Sequence, residues 1–206
     1  MVAEGIYYAL ALVAGGGLVS YLSRPAFGAP LFLLAAFCLY FFRDPERAAP
    51  AGPVAVSPAD GKVVSIRSED ARLTRISIFL SVFDVHVNRA PVGGRITEIQ
   101  YQRGRFLVAS REDASLVNES NRITVEPEEG GPVVFKQIAG ILARRIVCHK
   151  RPGDVVRTGE RIGLIKFGSR VDVYLGPEWE VQVALGDRVK AGSSILARRR
   201  GAGEGL

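Results

Sequence analysis

The sequence predicts a mainly β domain carried behind an N-terminal pair of apolar helices. Three observations lead there: two uncharged apolar runs before Arg43, a change to short β-branched runs from Pro50 onward, and an internal repeat of Gly-Asp turns on either side of residues 163–175.

The apolar runs come first. Gly5 to Leu22 carries no charge; Ser23-Arg24-Pro25 breaks it; Ala26 to Phe42 continues apolar until Arg43-Asp44-Pro45-Glu46-Arg47. Each run is near the lower limit of about 17–20 residues for a spanning helix. A signal peptide is the first competitor, but Met1-Val2-Ala3-Glu4 lacks a positive start and a second apolar run follows at once. A helical hairpin that crosses or dips into the bilayer is therefore expected over residues 1–45, ahead of a single span, with the second domain at 46–206. Tyr7-Tyr8 and Tyr40-Phe41-Phe42 place aromatic rings where a membrane interface favours them. Arg43 and Arg47 favour a cell (inner) membrane protein whose following domain faces the cytoplasm, whereas Arg24 in the short loop pulls the other way.

From Pro50 the pattern alternates with strand period. Residues 54–57, 62–66, 75–80, 95–101, 122–126 and 133–138 are short β-branched runs separated by Gly, Pro and Asp. Residues 106–119 are too polar for a buried strand and read as a loop with a helical turn. The repeat matches Gly153-Asp154-Val155-Val156-Arg157-Thr158-Gly159-Glu160-Arg161-Ile162 to Gly186-Asp187-Arg188-Val189-Lys190-Ala191-Gly192-Ser193-Ser194-Ile195, and a related turn occurs at Pro58 to Val63. Glycine permits the backbone of such turns and aspartate bonds within them. These copies resemble the hammerhead half-motifs of lipoyl and biotinyl domains, which implies a barrel-sandwich hybrid of interlocking halves and says little about activity.

Composition narrows the partners. The chain has 206 residues and a formal net charge of +6, with the cations scattered apart from Arg198-Arg199-Arg200, so nucleic acid is not an expected partner. Cys38 and Cys148 form neither a disulfide framework nor a zinc spacing, which fits a reducing compartment and no metal.

Between the repeats, Leu164–Phe167 and Val171–Leu175 alternate like strands, interrupted by Gly168-Ser169. A Gly-Ser pair is a common turn. It also meets the needs of self-cleavage: the serine Oγ attacks the preceding carbonyl, glycine leaves that carbonyl approachable, and a base then removes the serine α-proton so that the ester eliminates. Histidine is the usual base near neutral pH, and the chain has two, His86 and His149. Strand alternation would place Asp84, His86 and Asn88 on one face, either as a site or as an ordinary solvated edge. Asp60, in a tight turn, is the candidate acid to orient the imidazole, or a turn-stabilising aspartate. His149, flanked by Cys148 and Lys150, is the alternative base.

Taken together, these blocks resemble the short form of the phosphatidylserine decarboxylase family. Phe167-Gly168-Ser169-Arg170-Val171-Asp172 is similar to its self-processing site; residues 42–47 to its post-membrane segment; Ser57-Pro58-Ala59-Asp60-Gly61 to the block of its triad aspartate; residues 83–91 to its histidine block; and Asn118-Glu119-Ser120-Asn121 to its Asn-Glu-Arg-Asn stretch, with Ser120 in place of Arg. The matches run in order over roughly residues 40–200. Two departures stand out. The long form has Leu-Gly-Ser-Thr at the processing site, and it has a second histidine, which carries the triad role, where this chain has Arg89. His86 is assigned as base because it is the one histidine of its block.

The resemblance implies cleavage into residues 1–168 and 169–206, which stay together as a heterodimer with higher oligomers open. It implies a pyruvoyl cofactor made from Ser169, with no pyridoxal phosphate and no metal, and decarboxylation of phosphatidylserine in the bilayer to phosphatidylethanolamine through a Schiff base, His86 returning the proton. Lys166, Arg170, Arg103 and Arg105 are candidates to hold the lipid phosphate, or are ordinary solvated charges. Three other readings compete. A pyruvoyl-dependent decarboxylase of another amino acid would leave the apolar hairpin unexplained. A membrane-anchored hammerhead adapter would need a long helical hairpin between its halves. A lipoyl or biotinyl carrier would need an acceptor lysine in a Met-Lys-Met or Asp-Lys-Ala turn, and the sequence has neither.

Overall fold

The computed structural model describes residues 2–70, 73–105, 114–140, 145–166 and 168–201. They fall into two compact units, Met1–Glu46 and Arg47–Leu206.

The first unit is a pair of helices, α1 (Ala3–Leu22) and α2 (Pro25–Phe41). The break between them is local chemistry. Arg24, restricted by the following proline, is extended at φ −126° and ψ 145°, and Pro25 opens α2 where its missing N–H costs no helical bond. The helices pack closely at Gly28, where a Cβ would collide with the Gly16 carbonyl and the Ser20 hydroxyl. Their outer surfaces are apolar yet uncovered: Tyr21 is 86% exposed and Leu33 73%. By length and composition α1 can cross a membrane, and α2 is a shorter apolar helix.

The second unit is mainly β. Its strands are β1 (Val54–Val56), β2 (Gly61–Asp70), β3 (Leu73–Leu80), β4 (Val87–Arg89), β5 (Gly94–Gln102), β6 (Ser120–Glu126), β7 (Val133–Ala139), β8 (Ile146–Cys148), β9 (Val155–Val156), β10 (Arg161–Ile165), β11 (Ser169–Leu175), β12 (Trp179–Val181), β13 (Arg188–Val189) and β14 (Ile195–Arg199), with one helical turn, α3 (Ala114–Val117). The turn expected within 106–119 is α3; residues 106–113 lie outside the described residues.

An eight-stranded curled sheet runs β13-β2-β3-β11-β7-β6-β5-β9, and two three-stranded sheets run β1-β14-β12 and β4-β10-β8. The order of the large sheet is palindromic about β11 and β7, and the sequence repeat explains it. The first-copy turn docks on β5, with Ile96 N–H donating to Asp154 O (2.8 Å) and Gly153 N–H to Ile96 O (2.7 Å). The second-copy turn docks the same way on β2, with Val63 N–H donating to Asp187 O and Gly186 N–H to Val63 O, both 2.9 Å. Strands β9 and β13 then pair with the starts of β5 and β2. The core is the inner face of this sheet, with Ile76, Val173, Phe135 and Ile123 in one cross-strand row, all fully buried.

Two sequence expectations change. Ser169 is not in the break between strands; it is the first residue of β11, and the break ends at Gly168. Asp84, His86 and Asn88 do not share one strand face either, because β4 covers Val87–Arg89 alone. Asp84 instead closes a turn, its carboxylate accepting from the Ser81 N–H and hydroxyl, both at 2.8 Å.

Candidate active site

Ser169 is fixed on both sides. In β11 it pairs with Leu80 of β3 and Ala139 of β7, and it is fully buried. Its Oγ has no hydrogen-bond partner among the described residues. A buried hydroxyl left unbonded costs about 1–3 kcal/mol, so this group calls for an explanation beyond packing. Gly168, beside it, is half-buried, and a Cβ there would meet none of the described residues within 4 Å. A glycine with room for a side chain thus precedes a serine hydroxyl unbonded among the described residues. Phe167 of the same motif lies outside the described residues.

His86 is tied through its main chain to the segment before Gly168. Its carbonyl accepts from the Ile165 N–H (3.2 Å), on the segment that leads into Gly168, while Leu80, on the other side of the turn before it, is the β3 partner of Ser169. The ring is 2% exposed, and Nδ1 lies 2.9 Å from the Asp84 carbonyl oxygen. A carbonyl only accepts, so Nδ1 carries the proton of the neutral ring and Nε2 holds the basic lone pair. His149, by contrast, is exposed just after β8, its N–H donating to the Ile162 carbonyl (2.9 Å).

Asp60 is engaged by other groups. Arg47 grips it bidentately (Nη1–Oδ1 2.5 Å, Nη2–Oδ2 2.8 Å), and the Ala191 N–H donates to Oδ1 at 2.8 Å. The carboxylate clamps the start of the domain to the second-copy turn, while the His86 ring bonds the Asp84 main-chain carbonyl.

Around Ser169 lie polar groups that sequence reasoning named only in part. Asn118 Nδ2 donates to the Ala139 carbonyl (2.7 Å) and the Ala139 N–H to the Glu119 carbonyl (2.9 Å), so the Asn118–Asn121 stretch fixes the residue paired with Ser169. Gln137 links Asn88 (2.8 Å) to Asn121 (3.0 Å) within the core, and all three are buried. Gln137 was missed; its signal was a polar residue at the same strand parity as Phe135 and Ala139.

On the opposite face of β11, Arg170 and Asp172 form a buried pair (Nε–Oδ1 2.6 Å, Nη2–Oδ2 2.8 Å). Asp172 also accepts from Ser115 Oγ at 3.0 Å. Lys136, donating to the Ser115 carbonyl at 2.6 Å, has its pKa lowered by burial and by Arg122 and Arg170, against the pull of Asp172. Of the four candidate phosphate ligands, Arg170 is thus buried in an ion pair, Lys166 is half-buried two positions before Gly168, and Arg103 and Arg105 are exposed just beyond the end of β5. No group of three or more metal-ligating side chains occurs among the described residues.

An antiparallel β domain that buries a serine, unbonded among the described residues, after an open glycine has the arrangement that serine chemistry on the chain itself would need. Comparisons with known proteins give the family. The family model for phosphatidylserine decarboxylase matches residues 34–197. A phosphatidylserine decarboxylase proenzyme of Solibacter usitatus is 64% identical over 199 residues, 97% of each chain. Proenzymes of the same description from Ruegeria pomeroyi (51% over 174 residues, 80% of each chain) and Rickettsia felis (43% over 176 residues, 81% of this chain and 76% of that one) are also similar. The chain belongs to the phosphatidylserine decarboxylase family.

Proposed function

We propose that this chain is a membrane-anchored proenzyme that cuts itself between Gly168 and Ser169 and then decarboxylates phosphatidylserine to phosphatidylethanolamine. The observation that carries the reading is the fully buried Ser169 hydroxyl, which has no partner among the described residues, next to a glycine whose missing side chain would meet none of them within 4 Å.

The chain's own groups account for the processing. Ser169 Oγ attacks the Gly168 carbonyl carbon, and the scissile nitrogen takes up a proton as the amide becomes an ester. His86, with its lone pair on Nε2, serves as the base for Oγ and then for the α-proton of residue 169. Elimination releases the Gly168 carboxylate, and the unsaturated residue left at 169 loses ammonia to water, becoming a pyruvoyl group. An orphaned hydroxyl on a strand held from both sides fits that group, which would remain fixed by β3 and β7. When present, the pyruvoyl carbonyls supply the electron sink for loss of carbon dioxide. His86, buried beside the site, holds the proton returned to the product carbon. Lys166, Arg103 and Arg105 bind the lipid phosphate, Asp60 holds Arg47 and the second-copy turn in place, and Arg170 steadies β11 through Asp172.

The exposed apolar surface of α1 and α2 supports anchoring in the cell membrane, with Arg43 and Arg47 keeping the β domain on the cytoplasmic side. Intact mass under denaturing conditions tests the reading: two fragments, 1–168 and 169–206, from the wild type and one chain from Ser169→Ala. An enzyme that decarboxylates while remaining uncut overturns it.

A further inference from the structure

The turn between the Ser169-paired strand and His86 is built to expose a phenylalanine. In Ser81-Val82-Phe83-Asp84, the Asp84 N–H donates to the Ser81 carbonyl (3.0 Å) and the Asp84 carboxylate accepts from the Ser81 N–H and hydroxyl. With its ends locked, the turn leaves Phe83 65% exposed. The second-copy turn repeats the device. In Ala184-Leu185-Gly186-Asp187, the Asp187 N–H donates to the Ala184 carbonyl (3.2 Å), the Ala184 N–H donates to the Asp187 carboxylate (2.8 Å), and Leu185 is 69% exposed. The two turns are neighbours, because Arg188, the residue after the second, ion-pairs with Asp84 of the first (3.3 Å).

Cations lie on the sheet beside the second tip. Arg188 pairs across strands with Lys62, and Lys62 with Phe79, which puts all three on the outer face of the same sheet corner. The Arg188 side chain is 75% exposed, and Lys62 and Lys190 are exposed too. Closed turns with apolar tips and cations beside them match the boundary between anionic headgroups and acyl chains. The position matters as much as the chemistry: Leu80, directly before the first turn, is the strand partner of Ser169, and His86 follows two residues after Asp84.

We propose that Phe83 and Leu185 form a docking tip that inserts into the anionic bilayer surface at the Ser169 end of the β domain. The proposal rests on the reading of the substrate as a bilayer phospholipid. The tip lowers the site onto the membrane, so that a headgroup enters while its acyl chains stay in lipid. The repeat supplies an internal control, since Pro152 occupies the Leu185 position in the first-copy turn, on the β5 edge of the sheet.

The test uses the full chain in vesicles of phosphatidylcholine and phosphatidylserine, with brominated lipid as quencher. Trp179, the single tryptophan and 7% exposed, is replaced by phenylalanine, and Phe83→Trp, Leu185→Trp or Pro152→Trp is added. Tryptophan at 83 and at 185 is expected to shift to the blue and lose most of its emission to the quencher, while tryptophan at 152 does neither. In the background that keeps Trp179, Phe83→Ser with Leu185→Ser is expected to lower the ratio of turnover on vesicle to short-chain dispersed phosphatidylserine roughly ten-fold. Unquenched tryptophan at 83 and 185, equal quenching at 152, or an unchanged ratio overturns the docking tip. Self-cleavage, read by mass in the same samples, reports on the proposed function separately, so a failure of one is distinguishable from a failure of the other.

Discussion

The buried Arg170–Asp172 pair yields a sharp energetic prediction. Its side chains are 3% and 0% exposed, two charge-assisted bonds join them, and Ser115 adds a third to the carboxylate. Asp172→Ala removes the carboxylate that the buried guanidinium bonds twice, and Arg170→Met takes those two bonds from the buried carboxylate. Breaking such a pair from one side costs about 3–5 kcal/mol. For a chain of this size that is a fall in Tm of roughly 6–20 °C. Replacing both, as Arg170→Met with Asp172→Leu, removes the charges together and should cost no more than about 1 kcal/mol, or stabilise. The measurement is thermal and denaturant unfolding of all four members of the cycle in a Ser169→Ala background, where the chain stays covalently whole. A coupling of about 3 kcal/mol or more is expected. Single variants that lose less than about 1 kcal/mol, or a double variant whose loss is the sum of the singles, would refute the claim that each charge is held by the other.

Three further outcomes are expected. Gly61→Ala should fail to fold, because φ is +152° there and a Cβ would collide with the Phe79 carbonyl, whereas Gly168→Ala should fold and melt like the wild type, so that its cleavage half-time by gel reads the chemistry alone. Glu160 should contribute stability at neutral pH that is lost in acid. Burial pushes its pKa up, but the Lys150 and Arg157 bonds outweigh this and hold it below 4.5, so the contribution is present above that value and disappears as pH falls through the depressed folded one. Glu160→Gln should therefore flatten the acid limb of a Tm–pH curve, and an unchanged limb counts against it. Deleting residues 1–42 should spare self-cleavage, since Arg47–Leu206 is compact by itself, and should reduce turnover of bilayer phosphatidylserine far more than that of a short-chain dispersed analogue; equal loss on the two would assign the helices a role in the site instead.

Most strands were legible because β-branched runs bounded by Gly and Asp announce themselves locally, and the repeat announced the two docked turns. The errors have physical causes too. Ser81–Asp84 carries no Gly or Pro to mark a turn; a side-chain carboxylate closes it, so strand alternation was carried through it to His86. Arg170, a candidate phosphate ligand, is buried against Asp172, and that aspartate two residues on at the same strand parity was the signal for a same-face ion pair. Asp60 was rightly placed in a tight turn, but its partner Arg47 lies in the segment after the apolar runs, where no local pattern ties the two together. The insertion of β11 between β3 and β7 is a long-range pairing that local periodicity does not encode.

That insertion bears on what cleavage leaves behind. Residues 169–201 include β11, which lies between β3 and β7, β14, which lies between β1 and β12, and β13, which zips to β2. Cleavage after Gly168 would cut one covalent link and leave every one of these ladders in place, so the smaller piece would stay woven through the larger. The loss would show on refolding. Before the cut, joining β11 to its neighbours is loop closure within one chain; after it, the same step is an encounter between two molecules whose rate depends on concentration. Maturation would then be a one-way door: connectivity guides assembly once, and the finished enzyme persists by kinetic stability, with no easy route back from the denatured state.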